Sequence, residues 1–150
     1  DAVLIAPSHL QIQEMVDELE RTLADVGLKV NGSKTLAMST SAGDVTVGGI
    51  SVKVVPKVIY LGAQLCIDGD QSGELQRRIR AGVFAFYKYR SFFCNRVVPM
   101  SLKRKLYHSA VQPAFTYASE TWGVRKNTLS SIAVAQRRLE RAMLGITRWL

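Results

Sequence analysis

Apolar residues recur at intervals of three and four along the segment that follows Pro7. They are Ile12, Met15, Val16, Leu19, Leu23 and Val26. This is the period of an amphipathic helix. Ser8 with Gln11 has the pattern of a capping box, and Gly27 followed by Leu28 is a typical helix end. The pattern predicts one helix of about five turns, preceded by a short buried strand in "DAVLIA".

The period changes after this helix. "LKVNGSKTLAMST" is typical of a short extended piece, a turn and a strand. "VTVGGISVKVV" alternates around Gly48 and Gly49, a pair that favours a tight hairpin. "KVIYLGAQL" predicts one further strand. We therefore expect residues 1–67 to form a small antiparallel sheet with one helix.

The pattern is helical from Ser72 to the end of the chain. One face of the first of these helices carries Leu75, Ile79, Val83, Phe86 and Phe93, and another carries Arg77, Arg80 and Lys88. Four aromatic residues interleave with the charges: Phe84, Tyr87, Tyr89 and Phe92. Most of them are expected to pack in the core or between helices, and not to serve as base-stacking platforms. Because residues 68–150 are predicted to be all-helical, the fold class of the whole chain is predicted to be α+β.

Capping residues and glycines divide the remaining helical sequence. Ser101 is expected to cap a helix that Pro113 kinks or interrupts. Thr128 is expected to cap the last helix, which Gly145 ends. Residues 68–150 are thus predicted to contain three main helices.

The 150 residues carry a net charge of +8, and this charge is unevenly distributed. Residues 1–68 have 5 Lys and Arg against 8 Asp and Glu, a net charge of −3. Residues 69–150 have 15 against 4, a net charge of +11. A basic half of this kind predicts a polyanionic partner. No apolar run approaches the roughly 20 residues that span a bilayer, so we expect nucleic acid and no membrane.

The two cysteines, Cys66 and Cys94, lie in apolar surroundings without His or Cys at a metal-binding spacing. This usage predicts buried, reduced thiols in an intracellular protein.

Four segments, in order, carry a resemblance to a known family. "DAVLIA" resembles the end of a Tyr/Phe-Ala-Asp-Asp catalytic hairpin, with Asp1 as the second aspartate. "GLKVNGSKTLAM" is similar to a Gly-Leu-x-x-Asn-x-x-Lys-Thr stretch that closes the palm, and "VIYLGAQLCIDG" to a Tyr-Leu-Gly primer grip followed by Asp-Gly. "YASETW" and "RRLERAMLGIT" are similar to thumb segments. Together they resemble the C-terminal palm and thumb of the reverse transcriptases of non-LTR (LINE-type) retrotransposons.

The resemblance implies a fragment of an RNA-directed DNA polymerase, with the end of the palm at 1–67 and the helical thumb and following connector at 68–150. The full-length parent would extend a DNA primer on an RNA template with deoxynucleotides, and would act in the nucleus. Its two-metal phosphoryl transfer would use Mg²⁺ ions held by carboxylates, Asp1 among them. The fingers and the rest of the palm, with the other carboxylates, are expected in a missing N-terminal part, so the isolated fragment is expected to be inactive.

The resemblance also implies roles for other residues. Lys34 would protonate or neutralise the departing pyrophosphate, although Lys29 lies close enough to compete for this role. Tyr60, Leu61 and Gly62 would form the primer grip. Phosphate contacts are expected from a basic group on the first two thumb helices: Arg77, Arg80, Lys88, Lys103, Arg104 and Lys105.

Two other classes of protein agree with the same sequence. One is a non-catalytic nucleic-acid-binding α+β module, which would bind nucleic acid without extending a primer. The other is a maturase-like splicing cofactor, which would bind one folded intron RNA tightly. Binding to hybrid duplexes by shape would favour the polymerase.

Overall fold

The computed structural model describes residues 2–40, 43–123 and 126–146. The chain divides into two compact units, Asp1–Asp70 and Gln71–Leu150. The described residues of the first unit form one helix and six short strands, and those of the second form only helices. The predicted α+β class is therefore confirmed. The assignment of the two parts to a palm and a thumb stays a prediction.

Helix α1 spans His9–Asp25, and both of its predicted ends are confirmed. The Ser8 hydroxyl accepts a hydrogen bond from the Gln11 backbone N–H at 3.3 Å. At the other end Gly27 has a φ of +75°, which glycine adopts without strain. There the backbone N–H of Leu28 donates to the Leu23 carbonyl at 2.8 Å. The capping residues thus determine the length of α1.

The strands of the first unit form three separate two-stranded ladders. β1 (Leu36–Ala37) pairs in parallel with β4 (Lys53–Val54), whereas β2 (Thr46–Val47) and β3 (Ile50–Ser51) form the predicted antiparallel hairpin at Gly48 and Gly49. The prediction of one small antiparallel sheet was therefore wrong in two respects. The described strands form three separate ladders, and one of these ladders is parallel. The strand predicted at residues 2–6 does not form, because this segment pairs with no other described segment.

A glutamine side chain explains why β2 gains no second neighbour. The Gln13 carbonyl oxygen accepts from the Thr46 backbone N–H at 2.8 Å, and the Gln13 amide nitrogen donates to the Thr46 carbonyl at 3.0 Å. These are the two backbone groups that a further strand would use. The α1 side chain therefore ends the ladder and joins the helix to the hairpin. Four buried valines form the core at this junction: Val16, Val45, Val47 and Val52.

The segment predicted as one strand after Pro56 is a hairpin. β5 (Lys57–Tyr60) and β6 (Ala63–Cys66) pair antiparallel, with Tyr60 opposite Ala63. The turn between them consists of Leu61 and Gly62, with φ values of +45° and +79°. Two successive positive φ values are typical of a type I′ turn. The sequence pattern missed it because leucine rarely adopts this conformation.

The second unit contains five α-helices in its described residues, together with short π- and 3₁₀-helical turns. The helices are α2 (Ser72–Lys88), α3 (Arg90–Phe93), α4 (Met100–Leu106), α5 (Gln112–Thr116) and α6 (Lys126–Leu144). The predicted interruption near Pro113 is confirmed, because a π-helical turn at Tyr107–Val111 separates α4 from α5. Proline has no N–H to continue the ladder.

Two predicted caps of the second unit differ from the structure. Pro99, not Ser101, is the N-cap of α4, and its carbonyl accepts from the Leu102 N–H at 3.1 Å. Helix α6 begins at Lys126, two residues before the predicted cap at Thr128. Its predicted end is confirmed: Gly145 has a φ of +69°. Helix α4 thus begins directly after Pro99, and its first turn has no side-chain cap.

Aromatic side chains form the core of the second unit. The Phe86 and Phe93 rings stack with centroids 4.7 Å apart. Phe115 and Val111 are fully buried beside them. The predicted apolar face of α2 is confirmed, because its remaining members pack against this cluster: Leu75, Ile79 and Val83. Burial, helped by the charge of Glu140, raises the pKa of Tyr107 to about 12, so this core hydroxyl stays protonated at neutral pH.

Gly82 allows α2 to approach α5 closely. A Cβ atom at this position would lie 2.3 Å from ring carbons of Phe115. Phe115 is fully buried, so its ring has little room to move away. Only glycine satisfies this contact without a shift of the helices.

Gly82→Ala is therefore expected to destabilise the protein. In an exposed helix this substitution would stabilise by about 1 kcal/mol, but here overpacking against the buried Phe115 ring should cost about 3 kcal/mol. The expected net loss of stability is about 2 kcal/mol. Urea unfolding followed by circular dichroism measures the difference. Gln76→Ala, on the exposed side of the same helix, is the control and should change the free energy of unfolding by less than about 0.5 kcal/mol. A Gly82→Ala variant as stable as the wild type would contradict this account.

Candidate nucleic-acid interface

The solvent-facing side of α2 combines basic and aromatic residues. Arg80, Phe84, Tyr87 and Lys88 are all exposed. At about 100° per residue, these four positions lie within a sector of about 100°. The only acidic residue of α2, Glu74, is buried. We call these four residues the α2 outer face. It presents two cations and two rings without a competing carboxylate from its own helix.

Packing was expected for most of the four interleaved aromatic residues, but two of them are exposed to solvent. Phe84 is 74% exposed and Tyr87 is 51% exposed. They lie on the side of α2 away from Gly82, although the Tyr87 ring still contacts the Phe86 ring of the core cluster edge-to-face, with centroids 6.0 Å apart. Tyr89 and Phe92 do pack against that cluster, as predicted. Helical phase could have distinguished the two pairs, since Phe84 and Tyr87 share the sector of Arg80.

A buried ion-pair group lies on the inner side of α2. The Glu74 carboxylate accepts hydrogen bonds from Arg77 Nε at 2.8 Å and from Arg78 Nε at 2.5 Å. Arg78 is buried, and its guanidinium lies 4.4 Å from the centroid of the Tyr117 ring. Arg77, which was predicted to contact phosphate, is thus in an ion pair with Glu74. Sequence reasoning passed over Glu74 and Arg78, although their spacing of four signals a helical ion pair.

The basic residues of α4 are divided between the interior and the surface. Lys103 is buried, and its ammonium donates to the Met143 carbonyl near the end of α6 at 3.4 Å. Lys103 therefore stabilises the C-terminus of α6, where a cation is favourable. Arg104 and Lys105 are exposed and line an open cleft of about 640 Å³ with Ser101, His108 and Ser109. Of the three predicted cations, two are accessible to a phosphate.

The Tyr60-Leu61-Gly62 segment forms the tip of the β5–β6 hairpin. Leu61 is 62% exposed and has a positive φ of 45°. This conformation costs a non-glycine residue roughly 1–2 kcal/mol, and such strain is concentrated at functional sites. Gly62 presents no side chain, and glycine at the end of a strand is typical of sites where another backbone approaches closely. The hairpin thus provides a strained, exposed turn where the primer grip was predicted.

Lys34 and Lys29 lie on either side of a polar turn. The Lys34 backbone N–H donates to the Asn31 carbonyl at 3.1 Å, and the Lys34 side chain is exposed. Lys29 lines a cleft of about 370 Å³ together with Asn31 and Glu20. The structure therefore leaves both lysines accessible and does not choose between them.

Asp1, the predicted catalytic and metal-binding residue, lies outside the described residues. Within residues 2–40, 43–123 and 126–146, no three His, Cys, Asp or Glu side chains come together as a metal site. The described residues alone therefore do not form a site for the Mg²⁺ ions of the resembled family.

The cysteines and the helices bear on two further expectations. Cys66 is half-buried and Cys94 is exposed, and both are free thiols, so the prediction of burial was wrong for Cys94. No described helix has the length and apolar character needed to cross a bilayer.

Comparison with known proteins finds a relative of transposon origin. The chain is 31% identical over 154 residues to an uncharacterised transposon-derived protein of Caenorhabditis elegans. The alignment covers 98% of this chain and 55% of the relative, so the chain spans about half of that protein's length. No family model matches the chain, and no solved structure matches it. The similarity supports a relation of this chain to transposons.

The strain at Leu61 leads to a prediction about stability. Leu61→Gly should raise the free energy of unfolding by up to about 1 kcal/mol, because the left-handed penalty exceeds the backbone entropy that glycine loses on folding. Urea unfolding measures this change. The matched control is Leu65→Gly in β6, where the backbone is extended and the substitution should destabilise by about 1 kcal/mol. A loss of stability in Leu61→Gly would show that the turn is not strained.

Proposed function

We propose that this chain is part of the reverse transcriptase of a non-LTR retrotransposon, and that the full-length protein extends a DNA primer on an RNA template. The first unit would be the end of the palm and the second unit the thumb. The observation that carries the proposal is the strained, exposed turn at Tyr60-Leu61-Gly62, in a chain with a transposon-derived relative. The order of the four sequence segments supports it.

The basic residues of the second unit would hold the template–primer duplex. Arg80, Lys88, Arg104 and Lys105 are exposed, and residues 69–150 carry a net charge of +11. Contacts from such residues to phosphates position a duplex without reading its sequence. Deoxynucleotides would be the further substrates. Mg²⁺, with Asp1 as one ligand, belongs to the proposal for the full-length protein, as does action in the nucleus.

The turn at Leu61 would act on the primer. In this proposal its backbone contacts the 3′-terminal nucleotide, with Gly62 allowing the sugar–phosphate chain to approach closely. A rigid hairpin positions a reactive end better than a mobile loop, because misplacement of a reacting group by about 1 Å can cost a factor of about 100 in rate. Lys34 would then neutralise the leaving pyrophosphate.

Primer extension by the full-length protein that contains this chain tests the proposal. An RNA template with an annealed DNA primer should be extended in the presence of Mg²⁺ and deoxynucleotides. Asp1→Asn should reduce incorporation to background without weakening hybrid binding. Lys34→Ala should slow incorporation by about 100-fold, and Lys29→Ala is the matched control for loss of a neighbouring charge.

Two results would overturn the proposal or its assignments. Hybrid binding without any incorporation by the wild-type protein would identify a non-catalytic binding module. Preference for one folded RNA over hybrid duplexes would favour a maturase-like cofactor. If Lys29→Ala, and not Lys34→Ala, slowed incorporation, the role assigned to Lys34 would belong to Lys29.

A further inference from the structure

We infer that the α2 outer face is a stacking platform for an unpaired strand of nucleic acid, with Phe84 and Tyr87 each receiving a base. This inference rests on the proposed function, because it assumes that the second unit binds nucleic acid. It goes further in naming single-stranded nucleic acid as the ligand of this face. Two exposed rings beside two exposed cations carry the argument.

The two rings are placed for neighbouring bases. Phe84 and Tyr87 are three residues apart on α2, so their backbone positions differ by about 4.5 Å along the helix axis. Side chains at this spacing are neighbours on a helix surface. The exposed fractions of 74% and 51% leave the Phe84 ring largely accessible and the Tyr87 ring about half accessible, because the Tyr87 ring also contacts the Phe86 ring. Each base has an apolar face that stacks on an aromatic ring in any sequence.

The cations are placed for the phosphates that join those bases. Arg80 lies one helical turn before Phe84, and Lys88 lies one turn after it. Arg90 adds a third exposed cation, and its guanidinium lies 5.6 Å from the centroid of the Tyr87 ring. A strand that follows α2 would thus meet charge, ring, ring and charge in succession. This is the combination that binds single strands without sequence preference.

Charge and base pairing distinguish this ligand from others. A second copy of the chain, docked by the same face, would bring Arg80 and Lys88 against their own equivalents, and like charges disfavour that contact. A base-paired duplex hides the faces of its bases, and opening a step costs a few kcal/mol. An unpaired strand offers both negative charge and free base faces.

Fluorescence anisotropy of the purified chain with labelled oligonucleotides tests the inference. The probes are a 12-nucleotide RNA, a DNA of the same sequence, and the RNA annealed into an RNA–DNA hybrid. Phe84→Ala/Tyr87→Ala should weaken binding of the single strands by at least about 5-fold per ring, and leave hybrid binding unchanged. The dependence of single-strand affinity on salt should also stay unchanged, because no charge is removed. The RNA and DNA arms show which unpaired strand is preferred.

Three comparison variants separate stacking from other effects. Phe84→Leu/Tyr87→Leu keeps apolar bulk without an aromatic face and should bind as weakly as the alanine pair, whereas Phe84→Trp/Tyr87→Trp should restore binding. Arg80→Ala/Lys88→Ala should weaken all three probes and lower the slope of log affinity against log salt by up to about 2. Circular dichroism verifies that each variant is folded.

The outcomes distinguish this inference from the proposed function. If the ring variants bind single strands as the wild type does while Arg80→Ala/Lys88→Ala does not, phosphate contacts alone hold the strand and the platform is wrong. If the ring variants lose hybrid binding as strongly as single-strand binding, the rings serve the duplex and the inference is again wrong. If the wild-type chain binds none of the probes, nucleic-acid binding by the second unit fails as well.

Discussion

The contact between Gly82 of α2 and Phe115 of α5 determines how the second unit is built. A Cβ at Gly82 would overlap the Phe115 ring, so glycine is the residue that lets α2 lie this close to α5 with this position turned towards it. The rotation of α2 about its own axis is then determined. Leu75, Ile79, Val83 and Phe86 face the core cluster, and Arg80, Phe84, Tyr87 and Lys88 face solvent. One close contact therefore places both the core and the proposed ligand surface.

In the first unit, side chains of α1 take the place of missing strand partners. Gln13 pairs with both backbone groups of Thr46, and the Glu20 carboxylate accepts from the Gly48 N–H at 3.1 Å. Unpaired backbone groups on a strand edge invite aggregation. These two side chains cover one hairpin edge and join the helix to it. The β5–β6 hairpin, which holds the Tyr60-Leu61-Gly62 turn, is paired only within itself among the described strands.

Local signals predicted α1, the Gly48-Gly49 hairpin and the apolar face of α2, because caps, glycine pairs and helical period act over a few residues. The turn at Leu61 escaped prediction, since a leucine at positive φ is stable only in its folded context. The exposure of Phe84 and the burial of Lys103 escaped for another reason. Amphipathic period shows which residues share a face, but the packing partner decides how wide the buried sector is. For α2 that partner is α5, about 30 residues later in the chain, and for Lys103 it is Met143 near the end of α6.

The most direct test of this account is an NMR titration of the isotope-labelled chain with an RNA–DNA hybrid and then with single-stranded RNA. Amide shifts should change along α2 around Arg80 and Lys88 with both ligands, and ring signals of Phe84 and Tyr87 should change only with the single strand. Core signals, such as those of Phe115, should stay in place. Shift changes confined to the first unit, with α2 unaffected by either ligand, would contradict the claim that the solvent side of α2 binds nucleic acid.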